Sequence, residues 1–474
     1  MVSYVANGEF GIAKSKELCG FIKVRGSPEH MTSTARYDYL CHLVGEEECV
    51  LRAIGGLLAF VVQNGVLAAV ATDDESIEIN AIRHRNFCDV MDISPTTLRA
   101  LHVFSQDTHP IGRGGLTPKE GLSLYGILKS HVKTGAARKL LRLWLLYPST
   151  NIQTVTERQF VVDFLRRSSN AAILQALNDA LRGVKNAPGV LCRLRKICGG
   201  INDWKALYSS LKSFIIVLDT MKVAMQQNED VKSSPLFAHA TSVSETHLRQ
   251  CVDWIDAVVD FEESTASGKL VVAQGFSEEI DEMKRCHSGL DDFLTSVAVQ
   301  EHENFLEMDN PPSLSSLCFT YQPQIGYLVM LSKADVDRVG FENLKQCGMS
   351  FIFSSPEQGY HFKNDRCTQL DDELGDIYGA IMDLESKAYR YLETKVFEAS
   401  ASILEVAALV RELDCLQAFA CAANEFSWTK PNFLEDEDRL VVEDGRHPLL
   451  ELVVPSYVPN STNLRGGDIQ IVTG

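Results

Sequence analysis

Apolar residues recur at intervals of three and four along a proline-free stretch that runs from Cys367 to Ala423. The positions that carry this pattern are Leu370, Leu374, Ile377, Ile381, Leu384, Ala388, Leu392, Val396, Ala399, Ile403, Val406, Val410 and Leu413. Such spacing predicts one helix, and the steps of four up to Val396 predict a stutter in a coiled-coil seam. At 1.5 Å per residue this helix would be roughly 80 Å long, too long for the interior of a compact domain. The pattern alone fits a link between distant parts of a molecule and a dimerisation rod equally well.

The helical period also dominates the chain from Ser94 to Gln300. Ser94 followed by Pro95 is a typical N-cap with proline at the first helical position. Further helices are predicted at residues 48–60, 123–131, 136–147, 156–167, 171–182, 190–198, 204–226, 247–261 and 278–300. We expect these helices to pack as one α-helical core.

Near Ser313 the period of the apolar residues changes from 3.6 to 2. Short strands are predicted at residues 317–321, 327–331, 350–354 and 360–363, separated by glycine and proline. They form a strand-rich insertion between the helix that ends near Asn304 and the long helix described above. Such an insertion at the tip of two helical arms suits a gripping or sensing element.

Both ends of the chain have weaker patterns. Residues 1–48 are irregular, because glycine and proline interrupt every short run. Short strands are predicted at residues 66–71 and 76–82. After the long helix, strands are predicted at residues 440–442 and 469–472.

Charge and cysteine content restrict the class of protein. The formal net charge of −18 argues against a free-standing basic nucleic-acid module. Residues 131–200 nevertheless carry an excess of lysine and arginine, which indicates either a solvated helical face or a surface for an acidic partner. The 13 cysteines include no Cys-x-x-Cys pair, which is typical of reduced intracellular thiols. No segment has the pattern of a signal peptide or a membrane span.

Several motifs resemble the MutS family in the family's order. Residues 445–451 (GRHPLLE), 457–460 (YVPN) and 471–474 (IVTG) resemble the start of the MutS ATPase domain. Thr134-Gly135 with residues 140–148 resembles the core-domain signature, residues 413–416 resemble the end of the lever helix, and residues 321–327 resemble the clamp. Residues 52–58 and 120–128 are similar to the meiotic MutS homologue 5 branch.

The resemblance implies a mainly α fold, namely a MutS-type helical core with long lever helices, a small β-rich clamp and an incomplete α/β ATPase domain. The implied segments are a connector remnant (1–48), the core (49–304), the clamp insertion (305–365), the returning lever helix (366–426) and the first part of the ATPase domain (427–474). The family's mismatch-reading domain has no counterpart in this sequence, and we interpret the chain as truncated at both ends.

The implied function is that of a DNA-binding subunit in the nucleus, which acts on double-stranded or branched recombination DNA with a MutS homologue 4 partner. Two alternatives stay open, a non-enzymatic helical scaffold and mismatch recognition. ATP and magnesium are the family's cofactors. The chain stops before the lysine of the phosphate loop, so we expect neither tight nucleotide binding nor hydrolysis.

The resemblance also implies the site residues. In the family the aromatic residue at Tyr457 lies beside the adenine, and the backbone of Val458, Pro459 and Asn460 lines the base. Thr473 and Gly474 open the phosphate loop. Tyr457 has an alternative role as a hydrophobic anchor. His447, beside Glu443 and Asp444, is a tempting general base, but a structural role is favoured.

The clamp position implies the DNA-binding residues. The basic side chains in or beside the insertion belong to Lys333, Arg338, Lys345, Lys363 and Arg366. Contacts of this type with phosphates supply affinity without sequence information. The alternative is that some of these side chains only solvate the insertion.

Overall fold

The structure is a computed structural model. It describes residues 10–24, 27–28, 30–45, 47–63, 77–79, 82, 89–104, 122–196, 199–306, 314–315, 317–355, 359–434, 438–454 and 456–469. Contacts between residues divide the chain into two compact units. The first unit comprises Met1–Asp253 and Val396–Gly474, and the second comprises Trp254–Lys395. Within the part of the chain described, no helix is long and apolar enough to cross a membrane.

The first unit opens with a small α/β layer. Residues 12–44, which were predicted to be irregular, form two helices and a strand, and the helix predicted at residues 48–60 is confirmed. The glycines of this layer end helices rather than prevent them: Gly45, at φ +94°, follows the second helix, whose first turn is capped by Thr32. The two strands pair in parallel. The predicted strand at 76–82 is confirmed over three residues, whereas the one at 66–71 lies outside the described residues. The elements are α1 (Ile12–Gly20), β1 (Ile22–Val24), α2 (Ser33–Val44), α3 (Glu48–Gln63) and β2 (Ile77–Ile79).

From Ser94 onwards the first unit is helical, as predicted, apart from the C-terminal ribbon described below. Ser94 and Thr134 act as N-caps, and their hydroxyls accept hydrogen bonds from backbone N–H groups three residues ahead. One core cluster includes Leu128, Leu141 and Cys415. The helices are α4 (Pro95–Ala100), α5 (Leu124–His131), α6 (Gly135–Leu146), α7 (Ile152–Arg166), α8 (Ala171–Gly183), α9 (Ala187–Lys196), α10 (Ile201–Gln227), α11 (Pro235–Ser242), α12 (Glu245–Val258, which continues into the second unit) and α20 (Ser400–Glu425).

The second unit combines helices with an antiparallel sheet of order β3-β4-β6-β5, and all four predicted strands are confirmed. Tyr327, Val329 and Phe362 are fully or almost fully buried in its core cluster. The elements are α13 (Phe261–Ser267), α14 (Glu278–Ser288), α15 (Leu290–Leu306), β3 (Cys318–Gln322), β4 (Gly326–Leu331), α16 (Lys333–Val339), α17 (Phe341–Gln346), β5 (Ser350–Ser355), β6 (Gly359–Lys363), α18 (Asp365–Leu374) and α19 (Ile377–Glu398).

The single long helix predicted for residues 367–423 is wrong, because the chain forms α18, α19 and α20 instead. Gly375 lies at φ +63°, a conformation that no α-helix contains, and ends α18. Asp376 then accepts a hydrogen bond from the backbone N–H of Gly379 at 2.8 Å and starts α19. The second break, at Ala399, directly follows the predicted stutter. The helix predicted at 278–300 is likewise divided, at Gly289.

The C-terminal part of the described chain is a two-stranded antiparallel ribbon with a short helix between its strands. The ribbon confirms the predicted strand at 440–442 and pairs Arg439 with Arg465. Residues 470–474, which include most of the predicted strand at 469–472, lie outside the described residues. The elements are β7 (Arg439–Gly445), α21 (Leu450–Val453) and β8 (Asn460–Arg465). That this segment begins an ATPase domain stays a prediction.

Candidate nucleic-acid interface

The five predicted DNA-binding residues all lie in the second unit. Lys333 and Arg338 are on α16, and Lys345 is on α17. Lys363 ends β6, and Arg366 lies in the first turn of α18. The sheet, its two short helices and the first turn of α18 therefore position these side chains.

Two short helices present Lys333 and Lys345 to solvent. The hydroxyl of Ser332 accepts from the N–H of Asp335 at 3.2 Å and starts α16. Gly340, at φ +83°, ends α16 and lets α17 begin in a new direction. Val336 and Leu344 are buried and hold the two helices in the core, so both lysine side chains remain exposed.

Arg338 neutralises a buried carboxylate. Asp335 is fully buried, and hydrogen bonds from the hydroxyls of Ser315 and Ser332 hold its pKa below the usual value. The Nη1 atom of Arg338 lies 3.0 Å from the Ser315 hydroxyl and 3.5 Å from the Asp335 carboxylate. The Arg338 guanidinium therefore already has partners within the second unit, which makes it less available for a DNA phosphate.

Lys363 is also engaged within the unit. Its Nζ lies 2.5 Å from Oδ2 of Asp371, and Oδ1 of Asp371 accepts the backbone N–H of Tyr327 at 2.9 Å. Arg366 donates to the side chain of Gln369 at 3.0 Å. Among the described residues, Lys333 and Lys345 are the two exposed members of the set whose side chains form neither an ion pair nor a hydrogen bond.

A half-exposed aromatic pair, which was not predicted from the sequence, lies beside Lys345. Phe341, one helical turn before this lysine, is 47% exposed, and Phe351 is 46% exposed. Their ring centroids lie 5.6 Å apart in an edge-to-face arrangement. The run of aromatic residues in β5 was the available signal. The contact with Phe341 depends on how α17 packs, which the sequence pattern does not show.

Four of the predicted nucleotide-binding residues, Tyr457 to Asn460, lie just before β8 or at its first residue. The hydroxyl of Tyr457 accepts the backbone N–H of His447 at 3.0 Å, so this side chain anchors its loop. Val458 is 72% exposed, and Pro459 and Asn460 are also exposed. Thr473 and Gly474 lie outside the described residues.

His447 has a structural position. Its Nδ1 accepts hydrogen bonds from the backbone N–H groups of Leu449 and Leu450 at 3.2 and 3.3 Å. Both donors lie at the start of α21, whose first turn His447 therefore caps.

Many basic side chains of residues 131–200 have partners within the first unit. Arg158 stacks on Trp144, with 3.9 Å from the guanidinium carbon to the ring centroid. Arg182 and Arg193 form ion pairs with Asp179 and Asp203. These contacts favour the interpretation of a solvated and internally paired helical surface for this part of the segment.

Comparisons with known proteins agree with this architecture. The family model described as MutS domain III matches residues 96–420 of this chain. MutS protein homolog 5 of Saccharomyces cerevisiae is 29% identical over 398 residues, which is 82% of this chain and 43% of that protein. MutS protein homolog 5 of Caenorhabditis elegans is 24% identical over 90% of this chain and 29% of its own length. The DNA mismatch repair protein MutS of Roseobacter denitrificans is 24% identical over 88% of this chain and 45% of its own length.

The chain thus spans less than half the length of these relatives. The match to domain III nevertheless covers well over half of the chain and includes both α6, with the Thr134-Gly135 signature, and most of α20. The chain belongs to the MutS family.

Proposed function

We propose that this chain is the DNA-contacting part of a MutS-type protein that acts on branched recombination DNA, as a member of the MutS homologue 5 branch. The similarity to the yeast and nematode proteins named MutS protein homolog 5 supports the branch. The proposal includes a nuclear location and a MutS homologue 4-type partner in the intact protein.

The observation that carries the DNA-binding part is the pair of exposed lysines on α16 and α17. Lys333 and Lys345 lie on consecutive short helices, which Val336 and Leu344 anchor in the core of the second unit. A lysine ammonium in this setting contacts phosphates of any sequence and releases the counterions that neutralise them. Such contacts hold a DNA backbone without reading its bases.

Salt-dependent binding of a four-way junction and a matched duplex tests this role. The Lys333→Glu/Lys345→Glu double variant is expected to bind both DNAs more weakly. The slope of log affinity against log salt should fall by about 0.9 for each lost phosphate contact. Lys232→Glu/Lys387→Glu, which reverses two exposed lysines elsewhere, is the matched control and should keep the slope.

The other outcomes are equally informative. An unchanged slope in the Lys333/Lys345 variant would place the phosphate contacts elsewhere, and Lys139→Glu/Lys185→Glu would then test residues 131–200. Absence of any salt-dependent binding to either DNA would contradict the proposal and favour the helical scaffold. Tighter binding to mismatched duplex than to the junction would favour mismatch recognition.

ATP with magnesium is the proposed cofactor of the intact protein. The family resemblance, which implies an adenine beside Tyr457 and the Val458 backbone, supports this proposal, and Val458 is exposed. One base stacked on one aromatic ring contributes about 1–3 kcal/mol, which corresponds to a dissociation constant no better than roughly millimolar. A calorimetric titration with Mg-ATP is expected to show such weak binding, lost in Tyr457→Ala. Micromolar binding that survives this substitution would reveal a phosphate site elsewhere in the chain.

A further inference from the structure

A cleft of about 490 Å³ opens in the first unit between α6, α7, α20 and the segment that follows α20. Its volume falls in the range of about 300–1,000 Å³ that is typical of ligand sites. Large apolar side chains form most of its walls: Trp144, Leu145, Val162, Phe419, Trp428 and Phe433. Neither the DNA-binding surface proposed above nor the ribbon of β7 and β8 includes any of these residues.

Hydrogen bonds hold the segment that closes one side of the cleft. The backbone N–H of Trp428 donates to the carbonyl of Ala423 at 3.0 Å, and the side chain of Gln159 donates to the carbonyl of Pro431 at 3.0 Å. The Trp428 ring also stacks on Phe426, with centroids 5.6 Å apart. The segment after α20 is therefore held in place by its own contacts within the first unit, and it forms a defined wall of the cleft.

Basic side chains line the cleft beside its apolar walls. Arg158, Val162 and Arg166 follow each other at intervals of four along one face of α7, and Lys430 lies in the segment after α20. The acid among the lining residues, Asp163, lies 3.6 Å from the guanidinium of Arg167. The cleft therefore favours a ligand that combines negative charge with apolar groups.

Two of the three cations are left for a ligand. The Arg158 guanidinium is held within the fold, because it stacks on Trp144 at 3.9 Å and lies 3.8 Å from the carboxylate of Glu412. Arg166 and Lys430 form no ion pair among the described residues, and they belong to two different elements that border the cleft. A peptide that carries acidic residues on both sides of its apolar side chains can contact both of these cations and the apolar walls.

We propose that this cleft docks an acidic segment of a partner protein, which inserts aromatic or branched aliphatic side chains between the two tryptophans. The aromatic and aliphatic side chains of the segment pack against Trp144 and Trp428, and its carboxylates pair with Arg166 and Lys430. This docking site is separate from the proposed DNA-binding surface, since it includes neither Lys333 nor Lys345.

A tryptophan-free peptide of sequence EDFEELFD, labelled with fluorescein, probes the cleft by fluorescence anisotropy. We expect a dissociation constant of about 10–100 µM. The emission of Trp144 and Trp428 should also change on addition of unlabelled peptide. The charge-reversed peptide KKFKKLFK is expected to bind at least about tenfold more weakly, because the arginines would repel it.

Two variants locate the binding. Val162→Trp fills the cleft and Arg166→Glu reverses its charge, and each should weaken binding of EDFEELFD at least about tenfold. Arg195→Glu, which reverses an exposed charge on α9 outside the cleft, should leave the affinity unchanged. Circular dichroism and thermal unfolding establish that each variant is folded. Arg166 is only partly buried and is not a core residue, so its substitution tests the cleft even if Val162→Trp does not fold.

The proposal is overturned if EDFEELFD fails to bind at millimolar concentration, or if KKFKKLFK binds equally well. Equal affinity in the wild type and in both folded cleft variants would also overturn it.

Discussion

The carboxylate of Asp414 caps the start of helix α6, where its Oδ2 atom accepts the backbone N–H of Thr134 at 2.7 Å. Its Oδ1 atom accepts the N–H of Lys133 at 3.1 Å and the side-chain N–H of Gln417 at 3.0 Å. Gln417 in turn donates to the carbonyl of His131 at 2.9 Å. A negative charge at a helix N-terminus is stabilised by the helix dipole and satisfies N–H groups that lack partners inside the helix. Asp414 thereby ties α20 to the junction of α5 and α6.

Replacement of Asp414 by alanine should therefore destabilise the first unit by about 3 kcal/mol. Asp414 is fully buried, and its removal leaves two backbone N–H groups without their acceptor. Asp414→Asn should cost less, because one side-chain oxygen remains. Native-state hydrogen exchange of residues 124–146 measures the change. Asp179→Asn, which removes an exposed ion pair with Arg182, is the control and should change the stability by less than about 1 kcal/mol. An Asp414→Ala variant as protected as the control would contradict this cap.

The sequence predicted the apolar positions of the long helical region better than its continuity. Leu370 and Ile377 are buried, as the heptad pattern requires, whereas Leu374 between them is 39% exposed. The break depends on the left-handed backbone of Gly375. A glycine at one position is compatible with a helix, so the periodicity of the apolar residues alone does not reveal it.

The candidate DNA-binding site, too, could be predicted from the sequence only in part. The residue types and their place in the β-rich insertion could be predicted, because lysines and arginines are recognisable in any sequence. The partners of these residues could not. Lys363 pairs with Asp371 on α18, and Arg338 binds Ser315, which is 23 residues away. Only the packed sheet brings these groups together, so the sequence could not separate phosphate-binding candidates from side chains engaged in the fold.

Gly326 is predicted to tolerate no side chain. It lies at φ +97°, and an added Cβ would come within 2.2 Å of Oδ1 of Asp371. That oxygen accepts the N–H of Tyr327, and the same carboxylate pairs with Lys363. Gly326→Ala should therefore cost about 2–4 kcal/mol, the sum of left-handed strain and weakened hydrogen bonding.

Gly348 provides the matched control. It lies at φ +79° with nothing within 4 Å of an added Cβ, so Gly348→Ala should cost only the backbone strain of about 1–2 kcal/mol. Hydrogen exchange of residues 318–363 compares the two variants. Equal protection would show that Asp371 moves aside at no cost.

Lys284 and Glu385 form a half-buried ion pair that holds the loop around Val272. Oε1 of Glu385 accepts Lys284 Nζ at 2.9 Å and the N–H of Val272 at 3.1 Å, and Lys284 also donates to the Val272 carbonyl at 2.9 Å. Removal of one partner leaves the other with an unpaired charge. Lys284→Met and Glu385→Leu should each cost about 2–4 kcal/mol, and the double variant should cost less than the sum of the two.

Hydrogen exchange of residues 259–276 in a double-mutant cycle measures this coupling. The exposed pair of Asp179 and Arg182, treated in the same way, should show a coupling below about 1 kcal/mol. Strict additivity for Lys284 and Glu385 would mean that the pair contributes no net interaction.

His361 should make the sheet of the second unit sensitive to acid. Its side chain is fully buried in β6, and among the described residues neither ring nitrogen has a hydrogen-bond partner. The ring stacks on Phe353 with 4.3 Å between centroids, a contact that would favour the imidazolium. Burial outweighs this contact and lowers the pKa of His361 below its usual value.

A lowered pKa in the folded state means that the unfolded chain binds the proton more readily. The stability that neutral His361 contributes is therefore complete above the unfolded pKa of about 6.5 and is lost as the pH falls through that value towards the folded pKa. At pH 5.5 the loss is at most about 1.4 kcal/mol, since that pH lies one unit below the unfolded pKa.

His361→Phe should remove this loss and keep the aromatic stack. Protection factors of residues 326–331 and 359–363 at pH 7.5 and pH 5.5 measure it, with the exposed His287→Gln as a control that retains the wild-type response. If His361→Phe loses as much protection at pH 5.5 as the wild type does, the acid sensitivity of the sheet has another source.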